Sequence, residues 1–474
     1  MQEAIQQPTI SHEAADPIAA AASRAEAWAG EPFLREGEDP TQVLAEGTAR
    51  RRALDDAVAE IDSGLKAPSS KWKVRYGLLL GLERVLAEPE PRTASGTALR
   101  RHQVDALAGM LTELIAASQR YDELNGNGNG HSATADEDLA EQDADDEDED
   151  STLVVEIEEA ELPEEPQQDD PGAVRRYRFR HPTASGKTIA AAGFVEAART
   201  LGVLILTHRR LLVSQFQRDL KTEGYGDRFV DVIMRGGKIP KKAPLTIQTY
   251  AWFARHVDSI DREAYQLVIC DEAHTALGEK TSAAIRSFPE PIYIGMTATE
   301  QLIAKQVSDV FPASVDDLPL QDAARRGLIA PLRDLRVPPV AAINSVPIVG
   351  GDFDQEILAK TLDIKALNQA AAGLYRERFD STPGIVYAAG VDHAYNLAQE
   401  FRAAGLKAEA VSGRTPPVRL AETLAAYERG EINVLINAQL LAEGWNSPRA
   451  TVCMHLAPTA SRRVYQQRIG RIMR

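Results

Sequence analysis

Residues 181–190 read as a phosphate-binding loop, with the sequence His-Pro-Thr-Ala-Ser-Gly-Lys-Thr-Ile-Ala. Residues 177–180 alternate as a strand does, and the alanine-rich run after the loop favours a helix. In a strand–loop–helix unit, backbone N–H groups and a helix N-terminus point at one spot, which suits an anion. Lys187 would then reach the β- and γ-phosphates and the Thr188 hydroxyl would hold Mg²⁺, although His181 stands where such loops usually open with Gly.

Strand and helix patterns alternate after this loop. Four short apolar segments are typical of central parallel strands: residues 203–206, 246–249, 267–270 and 292–295. A second alternating series runs from Gly384 to the end, after a stretch at 337–353 that is typical of a linker between domains. The pattern predicts an α/β fold, with open, doubly wound sheets and ligands at the carboxyl ends of the strands.

A carboxylate pair follows the third of these segments, in the sequence Asp271-Glu272-Ala273-His274. A strand end is where carboxylates would meet a phosphate site, so Asp271 is suited to hold Mg²⁺ and Glu272 to polarise the water that attacks the γ-phosphate. The alternative is that the two acids only cap a helix. The Gly-Lys-Thr sequence upstream in the same alternating domain favours the catalytic interpretation.

An acidic stretch dominates the charge of the chain. The formal net charge is −17, but residues 131–170 hold 19 Asp and Glu without a Lys or Arg, which leaves +2 for the rest. Any nucleic-acid site must therefore come from local basic grooves and backbone dipoles. With the Asn-Gly tract before it, this stretch predicts a flexible, disordered acidic insertion at about 125–172, either a solvated tether or an intramolecular mimic of nucleic acid.

The first part of the chain, residues 1–95, is predicted to be a small helical region. Lys71, Lys73 and Arg75 beside Trp72 could touch nucleic acid, or Trp72 could fill a small core at a helix end. The chain has no apolar run of about 18 residues and no signal peptide, so we expect a cytoplasmic location and no membrane contact.

Several of these segments together resemble one family. From about Leu99 to Arg474 the chain is similar to superfamily 2 helicases and translocases of the DEAD/DEAH-box type, with Pro182–Thr188 as motif I and Asp271–His274 as motif II. The segment Leu99–Gln103 resembles the Q-type motif, which recognises adenine. The resemblance implies that ATP is bound by Arg100, Gln103, Thr183, Ala184, Ser185, Gly186, Lys187 and Thr188. It also implies Mg²⁺ on Thr188 and Asp271, with Lys187 and Glu272 as catalytic residues.

The second half resembles the remaining motifs of this family. Gly384–Gly390 resembles motif IV, Leu441–Asn446 resembles motif V, and Gln467–Arg474 matches motif VI closely. The resemblance implies that three residues act at the γ-phosphate: Gln467, Arg471 and Arg474. It adds Gly444 and Asn446 to the nucleotide site, although Asn446 replaces the usual Asp and carries no charge. In motif I, Ala184 replaces a frequent Gly, which costs little only if its φ is negative.

Other segments resemble motifs for coupling and for nucleic acid. Thr297–Thr299 resembles motif III, which implies coupling roles for His274, Thr297 and Thr299. Residues 207–210 and 246–249 resemble motifs Ia and Ic, and residues 411–413 resemble a further contact segment. The implied contacts to the nucleic-acid backbone are Arg209, Gln248, Thr249, Ser412 and Gly413.

The resemblance implies two RecA-like parallel-sheet P-loop domains. The first is expected at 96–336 and carries the acidic insertion, and the second at 337–474. Family members continue past motif VI, so we expect the second domain to be truncated and the chain to be a fragment of a longer protein.

The implied function is an ATP-dependent helicase or translocase that couples Mg-ATP hydrolysis between two domains to movement along a strand. DNA is the expected partner, because residues 208–210 and 443–446 resemble restriction-motor and repair helicases. RNA is the alternative substrate. Two alternatives stay open: a duplex DNA translocase working with restriction or repair partner subunits, and a nucleotide-switched binding module with little turnover. The chain is expected to act as a monomer.

Overall fold

The computed structural model describes residues 17–126, 170–298, 307–335, 343–349, 352–438, 440–441, 445 and 447–473, without the side chains of 121–126 and 462–463. The predicted acidic insertion at 125–172 lies outside the described residues except at its two ends. The same holds for much of the linker predicted at 337–353.

The first sheet has six parallel strands in the order β3-β2-β4-β5-β1-β6. They are β1 Arg176–Arg180, β2 Val203–Thr207, β3 Leu245–Thr249, β4 Leu267–Asp271, β5 Ile292–Thr297 and β6 Ala313–Asp317. Alternate residues of β2 enter two different apolar clusters, Val203 and Ile205 on one face of the sheet and Leu204 and Leu206 on the other. A strand covered on both faces has to be apolar throughout, which is why the four apolar runs predict strands correctly.

Helices cover this sheet, and the loop at 181–186 leads from β1 into the first of them. They are α7 Lys187–Ala197, α8 Arg210–Leu220, α9 Tyr250–His256, α10 Glu279–Ser287 and α11 Leu320–Arg325. Five of the eleven residues of α7 are Ala or Gly and all five are buried, so the helix packs closely on its neighbours. The predicted strand–loop–helix unit is confirmed.

The described part of the N-terminal region, from residue 17 to residue 126, is largely helical, as predicted. Its helices are α1 Pro17–Ala29, α2 Pro40–Val43, α3 Ala49–Asp62, α4 Ser70–Trp72, α5 Leu78–Leu86 and α6 Arg101–Gly126, with a π-helical turn at Lys73–Gly77 joining α4 to α5. Trp72 is buried and its ring centroid lies 5.3 Å from Trp28 and 5.7 Å from Tyr76. Trp72 therefore fills a core at a helix end, which is the second of the two interpretations given above.

These N-terminal helices share one core with the first sheet. Gly81 of α5 lies so close to α7 that a Cβ atom would sit 1.8 Å from the carbonyl oxygen of Ala197. Beside this contact, Arg84 donates to the carbonyl oxygen of Glu196 at 2.7 Å. The end of α7 is therefore held by α5, and its beginning directly follows the loop.

The second sheet has four parallel strands in the order β10-β11-β9-β12. They are β9 Gly384–Ala388, β10 Ala408–Val411, β11 Val434–Asn437 and β12 Val452–Leu456, preceded by the short antiparallel pair β7 Ile348–Val349 and β8 Asp352–Phe353. The helices are α12 Gln355–Leu362, α13 Lys365–Arg378, α14 Val391–Ala403, α15 Pro417–Glu428 and α16 Arg462–Ile469. The chain is thus an α/β protein with two parallel sheets of the RecA-like type.

Among the described helices, none combines the length and the apolar character that crossing a membrane requires.

Candidate active site

The loop between β1 and α7 has a backbone that few residue types adopt without strain. Ala184 has a φ of +75° and Gly186 a φ of +87°. A Cβ atom on Gly186 would also lie 2.8 Å from Nε2 of Gln103, so this position requires Gly. At Ala184 the left-handed backbone costs about 1–2 kcal/mol, so the Gly that Ala184 replaces would fit better. The Ser185 hydroxyl closes the turn by donating to the carbonyl oxygen of Pro182 at 2.8 Å.

The segment that resembles the Q-type motif supports the loop from behind. Gln103 donates from Nε2 to the carbonyl oxygen of Gly186 at 3.0 Å, and its Oε1 accepts from the N–H of Arg100 at 2.8 Å. Nε2 of His102 lies 2.8 Å from the carbonyl oxygen of Ser185 and must be the donor, because a carbonyl only accepts. Gln103 and His102 are both buried. The Gln103 amide thus holds the loop, and its contact with adenine stays a prediction.

His181 occupies the position of the usual opening Gly and is fully buried. Its Nε2 lies 2.6 Å from Oδ2 of Asp316 in β6, and its N–H donates to the carbonyl oxygen of Thr297 in β5 at 2.9 Å. Its ring meets the ring of His102 edge to face at 5.1 Å between centroids. The loop is thereby tied to both strands that flank β1. The sequence did not predict these roles of His102 and His181. The only signal for them was His181 in place of the usual Gly.

The carboxylate pair lies at the end of β4. Asp271 is the last residue of the strand, and Glu272 follows with a φ of +47°, a strained value for a residue other than Gly. Nζ of Lys187 lies 2.8 Å from Oε1 of Glu272. Nδ1 of His274 lies 3.6 Å from Oε2 of the same carboxylate. The predicted lysine, carboxylates and histidine of motifs I and II therefore meet at one place.

The two carboxyl groups differ in pKa. Burial, reinforced by the neighbouring Glu272 charge, raises the pKa of Asp271 to about 7, although the Lys187 ammonium acts in the opposite direction. Burial alone would raise the pKa of Glu272 too, but Lys187, His274 and Arg471 together hold it below its usual value. Glu272 is therefore the firmly ionised member of the pair.

The second half of the chain contributes an arginine to this site. Gly470 follows α16 and packs so closely on the loop that a Cβ atom would lie 2.5 Å from Cβ of Thr183. Arg471 comes next, is 9% exposed, and donates from Nη1 to the carbonyl oxygen of Trp445 at 2.8 Å. The loop and the end of α16 are therefore in contact across the two halves of the chain.

A cavity of about 320 Å³ lies between the loop, the end of β4 and Arg471. The predicted site residues that line it are Thr183, Ala184, Gly186, Lys187, Thr188, Asp271, Glu272 and Arg471. Of the other predicted nucleotide residues, the described ones Arg100, Gln103, Ser185 and Gln467 do not line it. Arg474, Gly444 and Asn446 lie outside the described residues.

One wall of the cavity was not predicted. It is formed by His208 and by the helix α8 with the turn that follows it, through Leu212, Gln215, Phe216, Asp219, Thr222 and Glu223. His208 comes directly after β2, and the carboxyl end of a parallel strand is a signal that would have placed it at the site. The cavity residues of α8 recur at helical spacing from Leu212 to Asp219, a pattern that indicates one face of a helix without indicating a cavity.

The predicted nucleic-acid residues follow three other strand ends. Arg209 is exposed after β2, and Gln248 and Thr249 are partly exposed at the end of β3. Ser412 is buried after β10, where its hydroxyl accepts from the N–H of Arg414 at 3.1 Å, and Gly413 beside it is exposed. All five lie at the edges of the sheets where their strands end, and their contact with nucleic acid stays a prediction.

The two described coupling residues contact the site or the loop without lining the cavity. His274 contacts Glu272 as noted above, and Thr297 holds the loop through its carbonyl oxygen. Thr299 lies outside the described residues. A role in coupling stays a prediction for all three.

The residues around the cavity fit a nucleotide with a magnesium ion. A left-handed loop at a helix N-terminus, with a lysine beside it, suits phosphates. The hydroxyl of Thr188 and the carboxylate of Asp271 are hard oxygen donors of the kind that Mg²⁺ prefers. No group of three His, Cys, Asp or Glu side chains that could hold a metal occurs within the described parts of the chain. Mg²⁺ commonly takes most of its ligands from phosphates and water.

Two protein families match the chain. The family described as type III restriction enzyme, res subunit, matches residues 99–302, and the helicase conserved C-terminal domain matches residues 366–474. The two matches cover the loop, the carboxylate pair and the segment with Arg471.

Several known proteins are similar to this chain. A 51.5 kDa protein of a Lactococcus phage is 24% identical over 62% of this chain and 62% of its own length. A Saccharomyces cerevisiae protein named as an ATP-dependent helicase, IRC3, is 24% identical over 62% of this chain and 45% of its own length. A Haloarcula marismortui protein named as a DNA 3'-5' helicase, Rad25, is 26% identical over 62% of this chain and 47% of its own length. The chain thus spans about half to three fifths of the length of these relatives.

Solved structures give more distant similarities. A fragment named as an HsdR subunit of a type I restriction enzyme from Vibrio vulnificus has a TM-score of 0.46 at 16% identity, covering 63% of this chain and 57% of the fragment. Dbp5 of Saccharomyces cerevisiae bound to RNA has a TM-score of 0.45 at 15% identity, covering 65% of this chain and 80% of that chain.

Proposed function

Because the chain belongs to the superfamily 2 helicases, we propose that it is an ATP-dependent motor that moves along DNA, preferentially duplex DNA. The observation that carries the proposal is the shared cavity, in which Lys187, Asp271 and Glu272 from the first half of the chain meet Arg471 from the second half. A nucleotide in this cavity would touch both halves of the chain. Its hydrolysis would then change how the two halves hold each other.

The residues from the first half of the chain would have different roles at the nucleotide. The loop N–H groups and Lys187 would hold the β- and γ-phosphates, and Thr188 and Asp271 would hold Mg²⁺, which neutralises charge that develops on the phosphates. Nζ of Lys187 lies 2.8 Å from Oε1 of Glu272. When the ammonium moves to a phosphate, the Glu272 carboxylate loses this ion pair and becomes available to bind water. Glu272 would then orient the attacking water and accept its proton.

Arg471 is the residue that the second half of the chain would place at the γ-phosphate. A guanidinium at the γ-phosphate stabilises the negative charge of the transition state, and it does so only when the two halves are closed. Gln467, Arg474, Gly444 and Asn446 are further members of this wall in the proposal. The close packing of Gly470 on Thr183 is consistent with such closure.

The nucleic acid would lie across the strand ends of both sheets, on Arg209, Gln248, Thr249, Ser412 and Gly413. Such contacts are made to the backbone, so binding should show little sequence preference and should weaken as salt rises. Duplex DNA is preferred because the first half matches a restriction-enzyme family and one relative is named as a DNA helicase.

The decisive experiment is ATP turnover without nucleic acid and with single-stranded DNA, duplex DNA or RNA. We expect duplex DNA to raise turnover most, and Lys187→Ala to abolish the stimulated rate because the phosphates lose their ammonium. Lys280→Ala is the matched control, since Lys280 is an exposed lysine of α10. If no nucleic acid raises the ATP turnover of wild type, the motor proposal is refuted. A nucleotide-switched binding module would then be the better description.

A second candidate is a translocase that pumps duplex DNA without separating its strands. The match to the restriction-enzyme res subunit over residues 99–302 favours it, and it would require restriction partner subunits. A strand-displacement assay run beside a triplex-displacement assay separates the two candidates. Displacement of the third strand alone identifies the pump, and separation of the duplex identifies the helicase.

A further inference from the structure

Tyr250 connects two strand ends that are not neighbours in the first sheet. It is the first residue of α9, directly after β3, whereas Asp271 ends β4, and β2 lies between these strands. The hydroxyl of Tyr250 donates to the carbonyl oxygen of Asp271 at 2.9 Å. Strands two positions apart in a sheet are separated by about 10 Å. The Tyr250 side chain therefore reaches across the end of β2.

The accepting carbonyl belongs to the peptide that joins Asp271 to Glu272. Rotation of this peptide changes φ of Glu272, which is +47° and strained. A strained backbone persists only where surrounding contacts fix it. The hydroxyl of Tyr250 is one such contact, and the Glu272 carboxylate that reaches Lys187 starts from this backbone. The bond therefore helps to set the direction of the carboxylate that orients water in the proposed reaction.

The other end of this connection is the segment predicted to hold nucleic acid. Thr249 caps α9 by accepting from the N–H of Trp252 at 3.2 Å, and Gln248 precedes it. Both residues are partly exposed, whereas Tyr250 is 4% exposed and packs in the apolar cluster with Phe253. A displacement of the backbone at Thr249 must move Tyr250, because the two residues are adjacent in the chain.

We propose that Tyr250 is a positioning residue that couples nucleic-acid contact at Gln248 and Thr249 to the orientation of Glu272. A strand bound at the end of β3 shifts the start of α9, and the hydroxyl passes this shift to the peptide before Glu272. The inference rests on the proposed function, since it requires turnover that nucleic acid stimulates. It adds a path from the strand to the water-orienting carboxylate.

The test compares Tyr250→Phe with Tyr293→Phe. Tyr293 lies in β5, is fully buried in the same apolar cluster, and donates from its hydroxyl to the carbonyl oxygen of Phe288 at 2.7 Å. Each variant keeps its ring and loses one buried hydrogen bond to a backbone carbonyl. Only Tyr250→Phe loses a bond to the carboxylate pair. A general loss of stability should affect both variants alike, so a difference between them reports the bond to Asp271.

The measured quantity is the ratio of kcat with saturating nucleic acid to kcat without it, using whichever of duplex DNA, single-stranded DNA and RNA stimulates wild type most. We expect this ratio to fall by about fivefold or more in Tyr250→Phe, with the Kd for that nucleic acid within about twofold of wild type. Tyr293→Phe should keep the wild-type ratio.

Three results would overturn the inference. If nucleic acid stimulates wild type and the ratio is unchanged in Tyr250→Phe, the inference is refuted and the motor proposal is unaffected. An equal fall in both variants also refutes it, because the effect is then not specific to the bond with Asp271. A wild type without stimulation removes the proposed function and this inference together.

Discussion

At the scale of single residues, the site is organised by one ion pair and one buried acid. Lys187 and Glu272 are 2.8 Å apart, so each neutralises the other while no phosphate competes. At Asp271 the Lys187 ammonium offsets only part of the effect of burial, so the pKa of this carboxyl is raised to about 7. The two neighbouring acids therefore differ in protonation for a physical reason, which suits the separate tasks proposed for them.

The raised pKa of Asp271 predicts a stability that depends on pH. The pKa in the folded state, about 7, lies above the ordinary value of 3.8, so ionising Asp271 opposes folding. The cost is absent at the lowest pH, grows between these two values and is complete above about pH 7. We expect Asp271→Asn to raise the melting temperature at pH 8, measured with EDTA and without nucleotide, and to lose this gain towards pH 4.

The exposed Asp105 of α6 provides the control, and Asp105→Asn should leave the melting temperature nearly unchanged at both pH values. A melting temperature of Asp271→Asn below that of wild type at pH 8 would show that the charge of Asp271 stabilises the fold.

Ala184 predicts a second effect at this scale. Its φ of +75° costs about 1–2 kcal/mol, and a glycine in its place regains this while the unfolded chain gains about 0.4–1 kcal/mol of freedom. We expect Ala184→Gly to raise the free energy of unfolding by about 0.5 kcal/mol. Urea unfolding measures it. Ala421→Gly, on the exposed side of α15, should instead lower it by about 1 kcal/mol. A loss of stability in both variants contradicts the account of the loop.

At the scale of elements, α7 is held at both ends. Gln103 and His102 support the loop that leads into its beginning, and its end packs on α5 at Gly81 and accepts a hydrogen bond from Arg84. The helix therefore connects the N-terminal helices with the loop. This arrangement explains why residues before the loop share a core with the first sheet.

The contact between α5 and α7 predicts opposite effects at two helical glycines. A Cβ atom on Gly81 would lie 1.8 Å from a backbone oxygen, so Gly81→Ala must separate the helices and should cost about 1–3 kcal/mol. A Cβ atom on Gly373 of α13 meets nothing within 4 Å, so Gly373→Ala should gain about 0.8 kcal/mol from helix propensity. Thermal or urea unfolding measures both variants. Equal gains would show that α5 does not lie against α7 as described.

Local patterns predict the elements well, and contacts distant in sequence explain what they miss. Apolar runs such as residues 203–206 predict strands because central strands are buried on both faces. The loop and the carboxylates are likewise predicted from short motifs that end strands. The bonds of Gln103 and His102 to the loop join residues 83 positions apart, and no periodicity signals them. The hydroxyl of Tyr250 and the α8 wall of the cavity escaped prediction for the same reason.

At the scale of the whole molecule, the two halves of the chain meet at the loop. Gly470 packs on Thr183, and the N–H of Ala330, which lies between the sheets, donates to the carbonyl oxygen of Met473 at 3.0 Å. Arg471 lines the same cavity as Lys187. A motor needs such a shared site, because a nucleotide can change the relation of two domains only if both of them touch it.

The most direct test of this shared site is the nucleic-acid-stimulated kcat of Arg471→Ala, with the Kd for ATP measured in parallel. We expect a fall of about a thousandfold in kcat, with the Kd for ATP changed by less than about tenfold, because Arg471 acts on the transition state. Arg471→Lys should recover little, since an ammonium cannot reproduce the guanidinium fork. Arg376→Ala, on the exposed side of α13, should keep the wild-type rate. A stimulated kcat of Arg471→Ala equal to that of wild type would contradict a site shared by the two sheets.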